Sequence, residues 1–203
     1  MNPAPMFDRV YGLIRNRLTQ GDWRPGQRID LPSLAAEMDA SLTPLRDALH
    51  RLTGEGLLVT GYGDGFAVPS ITEPELRDLY SWHLELVLLA NRSRRRDARL
   101  EGIPQTDTLG EAADVAQRLF AALGDAGANP EHGRAIASAA NRLHPVRRLE
   151  GRLFPDVLEE LEGIRRSLMT GTGIEQIVLI KAYHRRRTRA AGQLAHWLYR
   201  PNG

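Results

Sequence analysis

The chain has 203 residues, 42% hydrophobic and 26% charged, carries a net charge of +2 and contains no cysteine, which excludes disulfides, thiolate metal sites and thiol catalysis. Its length suits a small module joined to a medium one, and no apolar run approaches the roughly 18–20 residues of a membrane span. The start MNPAPMFDRVYG lacks the basic flank and apolar core of a secretory signal, so a cytoplasmic protein with no membrane contact is expected.

From about Pro5 to Gln20, the residues Phe7, Val10, Tyr11, Ile14 and Leu18 recur at steps of three and four, which predicts an amphipathic helix closed by Gly21. The Pro-Gly turn in DWRPGQRID then feeds an extended Arg28-Ile29-Asp30, with Trp23 expected beneath the turn. Pro32 sits where a first helical turn tolerates it. Leu34, Ala35 and Met38 give a short helix its apolar face, ending near Asp39-Ala40. Ser41 or Thr43 can cap the next helix, which turns Leu45, Ala48, Leu49 and Leu52 inward and Arg46, His50 and Arg51 outward. Gly54 and Gly56 stop it; Leu57 to Val59 read as a strand, Gly61 to Gly65 as a turn and Phe66 to Val68 as the return strand. Two helices joined by a tight break with a hairpin beside them are a winged helix-turn-helix, the arrangement that presents a recognition helix to the DNA major groove. Bulk charge adds nothing to that expectation, because residues 1–70 hold seven arginines against eight acidic residues. Any DNA contact must come from where individual arginines point.

From Thr72 the composition changes. Thr72-Glu73-Pro74-Glu75 reads as a capping box opening a long helix through Leu76, Leu79, Tyr80, His83, Leu86, Val87 and Ala90. Further helices are predicted over about 108–123, 131–150, 155–169 and 174–199, with no strand-like alternation. The fold class is therefore mainly α: an N-terminal winged helix-turn-helix over residues 1–70 and an all-α helical bundle over residues 71–203. Two arginine clusters, 92–99 and 185–189, read as solvated helix faces, with subunit contact or DNA backbone contact as the alternative.

The RPGQRI turn, the LAAEMDASLTPLRDALHRLTGEGLL block and the GDGFAV wing, spanning roughly residues 7–69, resemble the GntR family of transcription regulators. The resemblance implies double-stranded DNA as a partner, with Ser41 and Thr43 bonding backbone phosphates, Pro44 starting the helix between them and the groove-facing Arg46, and His50 further along the same helix. The wing would contribute through the backbone amides of Gly63 and Gly65. Three positions depart from the family pattern: Leu42 stands where an arginine is usual, Pro32 where some members place a DNA-contacting arginine, and Asp64 where a basic wing residue is common. Specificity is therefore expected to be altered or reduced. Taken singly, Ser41 and Thr43 also fit as plain caps and Arg46 as a solvated charge.

The helical half resembles the FadR-type branch of that family. This implies a homodimer whose bundle binds a small acidic effector, in many members beside a divalent metal held by one aspartate and three histidines. His144 and His196 match two of those ligands, but Ala140 stands in place of the aspartate and Ile174 in place of another histidine, and Pro145 is expected to disturb the helix presenting His144. Two imidazoles alone would hold a divalent ion weakly, so no metal and no cofactor are expected. His83 occupies the position from which an arginine usually meets the effector's carboxylate. His83, His144 and His196 are thus the candidate effector residues, with histidines satisfied inside the core as the alternative for all three. Without a thiol nucleophile, a Gly-rich phosphate loop or a full metal set, no catalytic residue is expected. The expected function is a dimeric DNA-binding transcription regulator modulated by an effector; a regulator with a degenerate helical domain that binds DNA constitutively is the alternative, and an enzyme on the helical bundle using an acid/base site such as His144 is the remoter one.

Overall fold

The computed structural model describes residues 3–61, 65–94 and 111–200. The chain divides into two compact units, Met1–Ile71 and Thr72–Gly203.

In the first unit, helix α1 (Pro3–Gln20) is followed by strand β1 (Arg28–Ile29), helices α2 (Leu31–Glu37) and α3 (Leu42–Gly54), and strands β2 (Val59–Thr60) and β3 (Phe66–Ala67). Val10, Ile14 and Leu18 of α1 meet Leu34, Met38, Leu45, Leu49 and Leu52 in one apolar core, and Trp23 packs partly buried against it. The sheet is larger than the hairpin expected from the sequence. β3 lies between β1 and β2, antiparallel to both, with Ile29 opposite Phe66 and Thr60 opposite Phe66 on the other side. The extended Arg28-Ile29 thus closes the wing at its base, where Ile29 and Phe66 are both buried.

Helix α2 ends one turn before the next helix begins, and the reversal is concentrated at Asp39, whose φ of 46° is left-handed. Aspartate tolerates this region better than a β-branched residue does. Arg9 on α1 holds the same turn, its Nη2 donating to the Met38 carbonyl at 2.8 Å and the Asp39 carbonyl at 3.4 Å. Replacing Asp39 with valine is expected to destabilise the first unit by about 1–2 kcal/mol, read as a lower urea midpoint.

The second unit consists, among the described residues, of α4 (Glu73–Arg92), α5 (Ala112–Asp125), α6 (Pro130–Leu153), α7 (Val157–Thr170), α8 (Gly173–Arg189) and α9 (Ala191–Tyr199). The capping box forms as the sequence predicts: Glu75 Oε2 accepts from the Thr72 amide at 2.7 Å, and Thr72 caps the Glu75 amide. Two expectations need correction. Pro145 lies inside α6 without ending it. The bond its missing amide forgoes is offset by packing, since this helix runs between α4 and α5 with Ile136, Ala139, Ala140, Leu143 and Val146 buried. The single C-terminal helix expected over 174–199 is instead two, broken at Ala190. A close crossing of α5 and α6 is made by a glycine pair: a Cβ added to Gly124 would lie 2.9 Å from the Gly133 Cα, so neither position has room for a side chain without moving backbone.

Candidate nucleic-acid interface and the buried polar cluster

Helix α3 divides cleanly by face. Leu45, Ala48, Leu49 and Leu52 are buried, while Ser41, Leu42, Thr43, Arg46 and His50 are exposed and Pro44 is half-buried. Thr43, Arg46 and His50 fall at steps of three and four, which places them on one stripe of the helix. Ser41 occupies the N-cap position with extended backbone, yet its side chain makes no capping hydrogen bond. Its hydroxyl is therefore not consumed by the role that the sequence allowed it, and the first-turn amides of α3 remain open to an external acceptor. His50 stands edge-on to Phe66 with ring centroids 4.9 Å apart, which couples the exposed stripe to the wing strand. Of the two wing glycines, Gly63 lies outside the described residues, as does Asp64. Gly65 is described and its carbonyl accepts from the Gly61 amide at 2.8 Å, closing the base of the wing turn. Arg28 was given no binding role by its sequence context, but a Cβ on Gly61 would lie 4.0 Å from its Nη2, so its guanidinium sits at that turn. Only the pairing of β1 with β3 reveals this, because the two segments are distant in sequence.

In the helical unit the three candidate histidines are not gathered at one point. His196 is exposed on α9. His144 is 5% exposed and its Nε2 is 2.9 Å from Asp114 Oδ1 on α5. His83 is fully buried, with His184 and Arg147 as its partners.

The tautomers of this last group follow from one carbonyl. His184 Nδ1 lies 2.7 Å from the Ile180 carbonyl and must donate to it, so His184 Nε2 is an acceptor. His83 Nδ1, at 2.8 Å, then donates to His184 Nε2, and His83 Nε2 accepts from Arg147 Nη2 at 3.4 Å. Both imidazoles are held neutral. Burial, reinforced by Arg147, holds His83 well below its ordinary value, and burial pulls His184 down to about 3. Beside them, Glu150 accepts from the Tyr80 hydroxyl at 2.7 Å and from Arg187 Nε at 3.0 Å, and Arg187 Nη1 also reaches Glu160 at 2.5 Å. Arg187, placed by its sequence context on a solvated face, is fully buried and stacks over the Tyr183 ring at 3.5 Å. It belongs to the core because α8 directs Tyr183, His184 and Arg187 inward together. Of the other predicted cluster, Arg94 reaches the Leu168 carbonyl, while Arg95, Arg96 and Arg99 lie outside the described residues.

The metal set implied by the resemblance does not fit these positions. Ala140 is buried and offers no donor, Ile174 is 78% exposed, and His196 faces solvent. Among the described residues no three His, Asp or Glu side chains converge. Nor is any helix of the described residues long and apolar enough to cross a membrane.

Residues 7–68 match the family model described as bacterial regulatory proteins, gntR family. The chain is 30% identical over 88 residues to the uncharacterized HTH-type transcriptional regulator YdhC of Bacillus subtilis, covering 43% of this chain and 39% of that protein. It is 48% identical over 58 residues to the Nta operon transcriptional regulator of Aminobacter aminovorans, covering 29% of this chain and 28% of that one. The matched region thus spans well under half of these relatives. In fold the likeness is broader: a transcriptional regulator, GntR, from Rhodococcus sp. RHA1 superimposes with a TM-score of 0.77 over 91% of this chain and 96% of that one, at 19% identity.

Proposed function

This chain carries a gntR-family helix-turn-helix domain at residues 7–68, and from that premise we propose that it is a homodimeric transcription regulator whose helical unit senses a small acidic molecule. The observation that carries the DNA-binding part is the exposed stripe of α3. Thr43 and Arg46 stand one turn apart with Ser41 at the helix start, and the opposite face of the helix is fully spent on the core. Arg46 is the residue placed to meet base edges in the major groove; Ser41 and Thr43, together with the first-turn amides, meet phosphates. Leu42, 46% exposed at the head of the stripe, supplies no hydrogen bond there, so each half-site is read by few contacts. Two half-sites must then act together, which makes the dimer necessary for specificity.

Self-association through the helical unit is supported by two exposed apolar strips, Trp82 with Leu89 on α4 and Ile174 with Val178 on α8. Effector binding acts by population shift: it favours one spacing of the two reading heads, and only a spacing that fits the operator binds tightly.

The test is a titration of the full chain onto DNA from its own promoter region at two salt concentrations. Saturable, sequence-dependent binding with a steep salt slope is expected, and equal affinity for unrelated DNA would refute the reading. Arg46→Ala is expected to weaken operator binding about 10- to 100-fold, corresponding to roughly 1–3 kcal/mol, while barely changing affinity for non-specific DNA. Sedimentation of the free chain checks the dimer: a monomer at micromolar concentration would remove the half-site mechanism.

A further inference from the structure

Of the exposed side chains on α3, Thr43, Arg46, Asp47, His50 and Arg51 can hydrogen-bond; Leu42, 46% exposed, cannot. The core does not need it there, because Leu45, Ala48, Leu49 and Leu52 close the inward face of the helix and are each fully buried. A lone exposed leucine is ordinary on a protein surface, so its meaning lies in its place on this helix. Leu42, Arg46 and His50 are spaced by four and form one ridge along the helix. His50 meets the wing strand at Phe66, Arg46 lies in the middle, and Leu42 opens the first turn, the end from which a recognition helix reaches base edges. Along the axis Leu42 stands about 6 Å from Arg46, under two base-pair steps of about 3.4 Å.

The major-groove edges of the base pairs carry hydrogen-bond donors and acceptors, and the C5-methyl of thymine is the apolar group among them. An apolar side chain set against a donor or acceptor strips water from it and returns no bond. Set against a methyl, it costs no hydrogen bond and removes apolar surface of both groups from water. We infer that Leu42 is a specificity-determining residue of the DNA interface, its isobutyl group packing on the C5-methyl of a thymine within two base pairs of the base read by Arg46. This assignment rests on the DNA-binding reading above and adds to it the class of base that the apolar end of the ridge selects. Because 5-methylcytosine carries the same methyl at the same ring position, the feature recognised is a methylated pyrimidine rather than an A·T pair as such.

Selection of bound duplexes from a random-sequence pool by the full chain yields the operator, and each of its thymines is then replaced in turn by deoxyuridine, which removes only the methyl. At one position, close to the base whose preference is lost in Arg46→Ala, the parent chain should bind about fourfold more weakly for each methyl removed, the worth of one buried methyl. With a C·G pair at that position, 5-methylcytosine should bind more tightly than cytosine by about the same factor. In Leu42→Ala both ratios should fall to about one. That variant keeps its helix, because Leu42 lies outside the core and alanine has the highest helix propensity. An operator whose affinity is unchanged by deoxyuridine at every thymine, or a methyl dependence that survives in Leu42→Ala, overturns the assignment. Failure to select any duplex overturns the regulator reading itself, whereas an operator bound without regard to the methyl overturns only the role of Leu42.

Discussion

Glu150→Ala is expected to lower the stability of the helical unit by about 3–5 kcal/mol, the range for removing one member of a buried ion pair. Glu150 is 1% exposed and joins three helices: it sits on α6, accepts from Tyr80 on α4 and receives Arg187 Nε from α8. Its loss leaves a fully buried guanidinium with Glu160 as its remaining carboxylate and strands the Tyr80 hydroxyl in the core. Arg187 Nη2 is already without a partner, so the cluster has no spare acceptor to absorb the change. Glu150→Gln keeps an acceptor for Tyr80 but not the charge, and should fall between the parent chain and Glu150→Ala. Urea unfolding followed by the near-ultraviolet signal of the aromatic cluster measures both. Glu131→Ala is the control: its pair with Arg134 is exposed, and the midpoint should not move. A Glu150→Ala midpoint equal to that of the control would mean the network is decorative.

The second large effect is acid lability. His83 and His184 are both depressed in the folded chain, His184 to about 3, so between that region and the ordinary histidine range the unfolded chain binds protons that the folded chain refuses. Stability therefore rises with pH across this window. It is complete above about pH 7.5, where both states are neutral, and it declines as the pH falls through the ordinary histidine range. Each imidazole contributes a slope of up to about 1.4 kcal/mol per pH unit, so the pair should remove roughly 2 kcal/mol in the first unit below the ordinary histidine value and approach about 3 kcal/mol per unit below that. Urea midpoints at pH 7.5, 6.5 and 5.5 check it. A midpoint that does not move between 7.5 and 5.5 would show that these rings titrate as exposed histidines do. The guanidiniums of Arg147 and Arg187 packed beside His184 reinforce the sign.

Much of the first unit was legible because its determinants are local. The period of Leu45, Ala48, Leu49 and Leu52 fixes which face of α3 is buried, and Arg46 on the other face follows from the same period. The wing was legible only in part: the turn glycines mark a hairpin, but β1 joins β3 across nearly forty residues, and no local pattern in Arg28-Ile29 announces it. In the helical unit the capping box at Thr72 is likewise local and forms as predicted. Pro145 and Ala190 show the opposite case. Proline was expected to disturb a helix that packing on two sides sustains, and a break fell at Ala190, whereas the nearest glycine, Gly192, lies inside the helix that follows.

The candidate sites divide in the same way. A run such as Arg185-Arg186-Arg187 has the same composition whether it faces water or the core, and the sequence alone favours water. Tertiary packing turned one member, Arg187, fully inward, left Arg185 exposed and set Arg186 against Asp156. It also joined His83 to His184 and Arg147, residues 64 to 101 positions apart, while leaving His196 at the surface. What the sequence by itself determined is therefore what depends on neighbours three or four residues away: helix faces, caps, turns and the exposed stripe of α3. The tertiary structure alone decided which charged and polar side chains share a buried space, because that depends on how helices cross and on which donors are left unpaired when water is excluded.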